Sequence, residues 1–144
     1  MDNLKKLFGG MRIAATALRA ERSRMDVIAQ NISNAQSTRV GNTDEPYRRQ
    51  VINFAPILDR ATNGKAEVAG VAVTGITEDF NTPFEEIHDP SHPDANADGI
   101  VRMPNVNTVR EMADLITAVR SYEANLKVQK SFEQMMARAI RLAE

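Results

Sequence analysis

The sequence predicts an α+β protein in which two long terminal helices pack as a coiled-coil-like hairpin, with a small β domain inserted between them. Three observations carry this: a heptad stripe at each end of the chain, and the loss of helical period in the middle. The expected division is 1–39 and 106–144 as the two helices of one helical core domain, and 40–105 as the β-rich insert.

In the first segment Leu4, Met11, Leu18, Met25 and Ile32 fall seven residues apart, and Leu7, Ala14, Ile28 and Ala35 fill the matching d positions. Glu21 is the polar exception. Each glycine of Gly9-Gly10 costs about 1 kcal/mol relative to alanine, so the firm helix is expected from Met11 to Ser33, with looser turns before it. Asn34 marks its end. Ala14, Ala15 and Ala29 form a small-residue seam that favours close approach of an antiparallel or bundled helix.

Residues 40–105 read as turns and strands. Gly41 to Pro46 is a turn-rich connector, and Tyr47 to Phe54 reads as a strand. A second strand is expected from Val68 to Thr77, where Val71 and Val73 alternate. Thr82 to Pro93 is punctuated by proline and reads as extended or loop, and Gly99 to Met103 as a short last strand before Pro104.

The last segment, Val106 to Leu142, reads as one helix about 50 Å long. Met112, Val119, Leu126 and Ile140 take position a, Leu115, Tyr122 and Met136 position d, while Val109 and Ile116 widen the stripe. Arg110, Glu111, Asp114, Arg120, Glu123, Lys127 and Lys130 are expected to face elsewhere. Thr108 with Glu111 three residues later is a capping-box signal. A chain of 144 residues cannot bury such a helix alone, and two helices enclose no core, so part of each stripe is left for neighbouring copies.

Composition narrows the function classes. Residues 1–39 carry seven basic and three acidic side chains, 40–105 five and eleven, and 106–144 six and five, so no segment has the basic excess that nucleic acid requires. Cysteine is absent, which excludes disulfides, thiol catalysis and Cys–zinc sites. No stretch is long and apolar enough to span a membrane, and the first ten residues lack the apolar run of a secretory signal.

No motif argues for catalysis, a cofactor or a metal. Asp94 to Val101 matches the first eight positions of a calcium loop, but position twelve is Asn105, preceded by Pro104, so a turn with Gly99 at positive φ is expected. His88 and His92 with Asp89 and Asp94 lie in a proline-broken loop that does not enforce one face, and Glu85-Glu86 reads as solvated charge. Arg12, Arg19, Arg22 and Arg24, interrupted by Glu21 and Asp26, read as charges flanking an apolar seam. Glu21, Gln129 and Glu133 are polar seam positions, some of which are expected to set assembly geometry.

The string Ala29 to Thr38 contains Asn31, Asn34, Ala35 and Thr38 in the Asn-x-x-Asn-Ala-x-x-Thr spacing, and resembles the signature shared by rod and hook proteins of the bacterial flagellum. Pro46-Tyr47-Arg48, Pro104-Asn105-Val106, Glu111-Met112 and the stretch through Tyr122 and Asn125 extend that resemblance over nearly the whole chain. Arg39-Val40 and an acidic insertion before Pro46 are closer to the proximal rod subgroup than to the hook or distal rod.

This resemblance implies that Asn31, Asn34 and Thr38 shape the helix-to-connector turn, and that the terminal helices pack together and against neighbours in a hollow helical polymer. The expected interface is Met11, Leu18, Met25, Ile28, Ile32, Met112, Leu115, Val119, Tyr122, Leu126, Met136 and Ile140. Implied partners are copies of the same chain, other rod proteins, the MS ring, hook–basal-body components and the flagellar type III export apparatus. The implied location is the basal body across the periplasm, reached from the cytoplasm without a cleaved signal. Outer helix turns are expected to be mobile before assembly. The rival reading is a soluble helical adaptor or export-chaperone-like module, whose stripes close into a discrete complex.

Overall fold

The computed structural model describes residues 2–41, 43–60 and 66–141, and the side chains of 8–41, 43–59 and 66–141. Their order is α1 (Asp2–Ser33), β1 (Gln50–Arg60), β2 (Ala66–Glu78), β3 (Glu85–His88), β4 (Ile100–Met103) and α2 (Thr108–Arg141). The protein is α+β: two terminal helices bracket two two-stranded sheets, β1-β2 and β3-β4. In the second sheet, antiparallel pairing sets Glu85 opposite Met103 and His88 opposite Ile100.

Two compact units draw on all parts of the chain. The first combines Met1–Met25, Asn53–Gly75 and Thr117–Glu144, the second Asp26–Ile52 and Ile76–Ile116.

The first unit packs through small residues. Ala14 and Ala20 of α1, Ala69 of β2 and Ala118 of α2 are its buried apolar side chains. Gly10 needs its missing side chain, because a Cβ there would lie 2.5 Å from the tip of the Phe132 ring. That contact explains why α1 carries a glycine despite its helix cost, and the helix continues through Gly9-Gly10 from Asp2. Thr16 Oγ1 accepts the Val71 N–H at 3.1 Å, tying α1 to β2. Of the three alanines expected at a seam, Ala14 is buried, Ala15 half-buried and Ala29 exposed.

The second unit buries Val27, Ile28, Tyr47 and Val101 with the polar Asn31, Asn105 and Glu111. Asn31 of α1 meets Glu111 of α2 here.

Several sequence expectations shift. The first strand starts at Gln50 rather than Tyr47, because Tyr47 spends its N–H on the Ser37 carbonyl and its hydroxyl on Asn31, and Arg49 spends its N–H on Asn105 and its C=O on Asp79, and it continues through Pro56, which a two-stranded ribbon tolerates at its open edge. The segment 82–93 contains β3, whose partner β4 fixes it as a strand despite the flanking prolines. The last helix begins at Thr108, two residues later than expected, and Leu142 lies outside the described residues. Its cap is Asn107: Oδ1 accepts the Arg110 N–H at 3.0 Å. Glu111 is therefore one residue too far along for a capping box, and it is buried, at 1% exposure, rather than facing solvent.

The shielded face of α2 is also offset by one position. Glu111, Leu115, Ala118, Tyr122, Asn125, Gln129, Phe132 and Met136, spaced alternately four and three, are buried or half-buried. The expected a positions Met112, Val119 and Ile140 are exposed, with Val109 and Ile116 beside the first two. Apolar spacing identifies a greasy face without saying whether the same chain covers it.

Candidate functional site

The polar side chains of a helix end normally act within the helix, but Asn31, in the last turn of α1, points its amide across to the incoming chain. Its Nδ2 donates to the Gln50 carbonyl at 2.9 Å and to Glu111 Oε2 at 3.1 Å. Its Oδ1 accepts the Gln50 N–H and the Tyr47 hydroxyl, each at 2.9 Å. An asparagine amide offers two donors and two acceptor lone pairs, and all four are used. Against Gln50 the side chain acts as a stand-in for a neighbouring strand.

Asn105 does the same on the other edge. Its Oδ1 accepts the Arg49 N–H at 2.7 Å, while Nδ2 donates to the carbonyls of Asp79 and Thr82 at 2.9 Å each. The Asp79 N–H returns to the Arg49 carbonyl at 2.8 Å. Arg49 completes the junction: its Nε donates to Glu111 Oε1 at 2.7 Å, and Nη1 lies 3.8 Å from Asp79 Oδ2. The Glu111 carboxylate thus has a charged partner and an amide donor, the condition under which a charge is tolerated in an interior.

Titration follows the same geometry. Burial pushes the Tyr47 hydroxyl above its ordinary value, and the nearby carboxylates of Glu111 and Glu78 add to the shift. At the surface, Asp79 is held below the ordinary carboxylate value by the Thr82 hydroxyl and by backbone N–H groups.

Other motif residues sit around this junction. Asn34 Nδ2 donates to the Gln30 carbonyl at 2.9 Å and closes α1, and Ser37 Oγ donates to Asn34 Oδ1 at 3.3 Å. The Tyr47 N–H reaches the Ser37 carbonyl at 2.9 Å. Thr38 Oγ1 donates to Asp94 Oδ2 at 2.6 Å, and Arg39 Nε pairs with Asp94 Oδ1 at 2.6 Å. The Arg48 guanidinium lies 4.6 Å from the Phe80 ring centre and 4.1 Å from that of Phe84. Pro46 and Pro104 are buried, while Ala35 and Val106 are half-buried beside them. Tyr122 and Asn125 lie in the other unit, on the shielded face of α2.

The Asp94–Val101 string forms a turn: Asn96 Oδ1 accepts the N–H groups of Asp98 and Ile100, and Gly99 has φ 72°. Among the described residues no three His, Cys, Asp or Glu side chains gather as a metal site. Arg12 pairs with Asp59 at 2.8 Å on the surface, and Gln129 Nε2 donates to Glu133 Oε1 at 3.3 Å.

The expected interface residues divide by helix. On α1, Met11, Leu18, Met25 and Ile32 are half-buried and Ile28 is buried. On α2, Met112, Val119 and Ile140 are exposed, and Leu115, Tyr122, Leu126 and Met136 half-buried.

Comparison with known proteins bears on these two features. A family model described as "Flagella basal body rod protein" matches residues 11–39, and one described as "Flagellar basal body rod FlgEFG protein C-terminal" matches residues 97–142. The flagellar basal-body rod protein FlgC of Bacillus subtilis strain 168 is 36% identical, over 95% of this chain and 98% of its own. The chain belongs to the FlgC family of flagellar basal-body rod proteins. FlgC of Borreliella burgdorferi is 39% identical over 96% of this chain and 98% of its own, and FlgC of Salmonella typhimurium 37% over 92% and 94%.

In this FlgC-family chain the two matched stretches meet at the junction. The first supplies Asn31, Asn34 and Thr38, the second Asn105 and Glu111. Sequence reasoning missed Arg49 as a partner and placed Glu111 in solvent. The available signal was the four-three spacing of Glu111 with Leu115, Ala118 and Tyr122, which puts a carboxylate in series with shielded residues.

Proposed function

We propose that this chain is a non-catalytic structural subunit of the proximal part of the flagellar basal-body rod, polymerising through its terminal helices into a hollow shaft that carries torque. One observation carries the assembly reading: on α2, Val109, Met112 and Ile116 are 76%, 53% and 55% exposed, one turn apart on one face. Such a stripe gains by burial about 25 cal/mol per Å² of apolar surface, so repeated lateral contacts favour a polymer.

In this reading 1–39 and 106–144 act as the helical core and 40–105 as the insert. Met112, Val119 and Ile140 supply the open face, Met11, Leu18, Met25 and Ile32 with Leu115, Tyr122, Leu126 and Met136 its flanks, and Ile28 supports α1 from within. Asn31, Asn34, Ala35 and Thr38 with Pro46, Tyr47, Arg48, Pro104, Asn105 and Val106 hold the junction, and Asn125 the shielded face. The partners are further copies, other rod proteins, the MS ring and hook–basal-body components. The chain reaches the periplasmic part of the basal body through the type III export apparatus. Among the described residues no helix is long and apolar enough to cross a membrane.

The test is a chain carrying V109S, M112S and I116S. It should fold with unchanged helix content and fail to enter isolated basal bodies, whereas the parent chain is found there by immunoelectron microscopy. A parent chain that instead forms a concentration-independent discrete dimer and is missing from basal bodies establishes the adaptor reading.

A further inference from the structure

The contacts at the start of β1 repeat with the two-residue period of a strand, and this repeat leaves an ambiguity. Both main-chain groups of Gln50 face Asn31, while those of Arg49 face Asn105 and Asp79. A slip of one residue exchanges the edges and turns every side chain over. A slip of two offers the same pattern of N–H and C=O groups, so the main-chain bonds of the two asparagines do not distinguish it from the native seating, and of their bonds only the Tyr47 hydroxyl on Asn31 Oδ1 is lost. The side chain presented to Glu111 does differ. In place of Arg49 it becomes Tyr47 or Val51.

We propose that Glu111 is a positioning residue that fixes the register of β1 by demanding the Arg49 guanidinium at one strand position. Its carboxylate is 1% exposed, with Oε1 2.7 Å from Arg49 Nε and Oε2 3.1 Å from Asn31 Nδ2. In either slipped chain the amide contact survives and the cation is gone, leaving a buried charge without its counter-charge. Neither the Tyr47 hydroxyl nor the Val51 side chain replaces it. Because β1 runs directly into its pairing with β2, a two-residue slip displaces the strand by about 7 Å. This inference is independent of the rod reading, because the isolated chain reports it.

The experiment is NMR on the isolated, isotopically labelled chain, following amides 47–59. The parent chain should give one set of signals. R49M/E111L, which replaces the pair by apolar side chains of similar size, should give a second set at a tenth or more of the population, with contacts from Asn31 to residue 48 or 52 in place of Gln50. E111Q keeps the size and removes the charge, and should show the same minor state by saturation transfer. A second set without those shifted contacts, or a single state in both variants, overturns the proposal. If R49M/E111L does not fold, E111Q decides alone: the minor state supports register selection and its absence refutes it.

Discussion

Asn31 and Glu111 stand 80 positions apart in the chain and meet at 3.1 Å, one from the last turn of α1 and the other from the first turns of α2. Their bond is long-range in sequence and fully buried, so it joins the family's two terminal segments through a polar contact rather than through the apolar stripes. Replacing Asn31 by leucine leaves Gln50 N–H and C=O, the Tyr47 hydroxyl and Glu111 Oε2 short of partners. Unsatisfied buried groups cost about 1–3 kcal/mol each, with partial relief from water, so N31L should lose about 3–5 kcal/mol in urea denaturation. A loss below about 1 kcal/mol contradicts the bonding described.

The cap of α2 gives a paired test. Asn107 accepts the Arg110 N–H, so N107A should lower stability by about 1 kcal/mol, whereas T108A, at the first helical position, should change it by less than about half that. Thermal unfolding of the two variants side by side checks the order, and a larger loss for T108A restores the capping-box reading.

Why one part of this was legible in the sequence and another was not follows from what each signal measures. Periodicity reports that Met112, Ile116 and Val119 share a face, and that much needs no structure. It does not report that Ala118 and Glu111 lie under the chain while Met112 faces out, because coverage depends on which groups the other segments bring. Similarly, Asn34 acts within its own turn and is readable from local chemistry, whereas the Asn31 and Asn105 amides pair with main chain 19 and 56 residues away. Arg49 gave no local hint at all; its role exists only once Glu111 is placed.

Tyr47 makes stability depend on alkaline pH. Its folded value lies above the ordinary 10.0 because burial and the carboxylates of Glu111 and Glu78 disfavour the phenolate. The unfolded chain releases this proton first, so the stabilisation is complete below pH 10 and is lost as pH rises from there through the folded value. Y47F removes the hydroxyl and its bond to Asn31, costing about 1 kcal/mol at neutral pH. The difference between parent and Y47F, measured by urea denaturation at successive pH values, should shrink above pH 10; a constant difference argues that Tyr47 titrates normally.

The neighbouring glycines of α1 should behave oppositely. An added Cβ at Gly9 meets nothing within 4 Å, so G9A should gain about 1 kcal/mol from helix propensity. At Gly10 the same methyl meets the Phe132 ring at 2.5 Å, and the ring must swing away from its packing. G10A should therefore gain less than G9A or lose stability, and F132L, with a shorter side chain, should bring part of the gain back. Equal stabilisation by G9A and G10A in denaturant melts would show that Phe132 does not rest on Gly10.

Hydrogen exchange on the unassembled chain should grade along α2. Glu111 and Ala118 are almost wholly covered, and the turn of Glu111 is held by Arg49 and Asn31. Residues 137–141, by contrast, are exposed on every side, so these last turns have only their own helix bonds to resist opening. Protection should therefore be high at residues 111–118 and fall towards Arg141, and it should rise at the outer turns when the chain is incorporated into a polymer, since neighbours then supply the missing cover. Uniform full protection from Met11 to Ser33 and from Val109 to Arg141 in the single chain would mean that one copy already shields its own helices, and the physical motive for stacking would be lost.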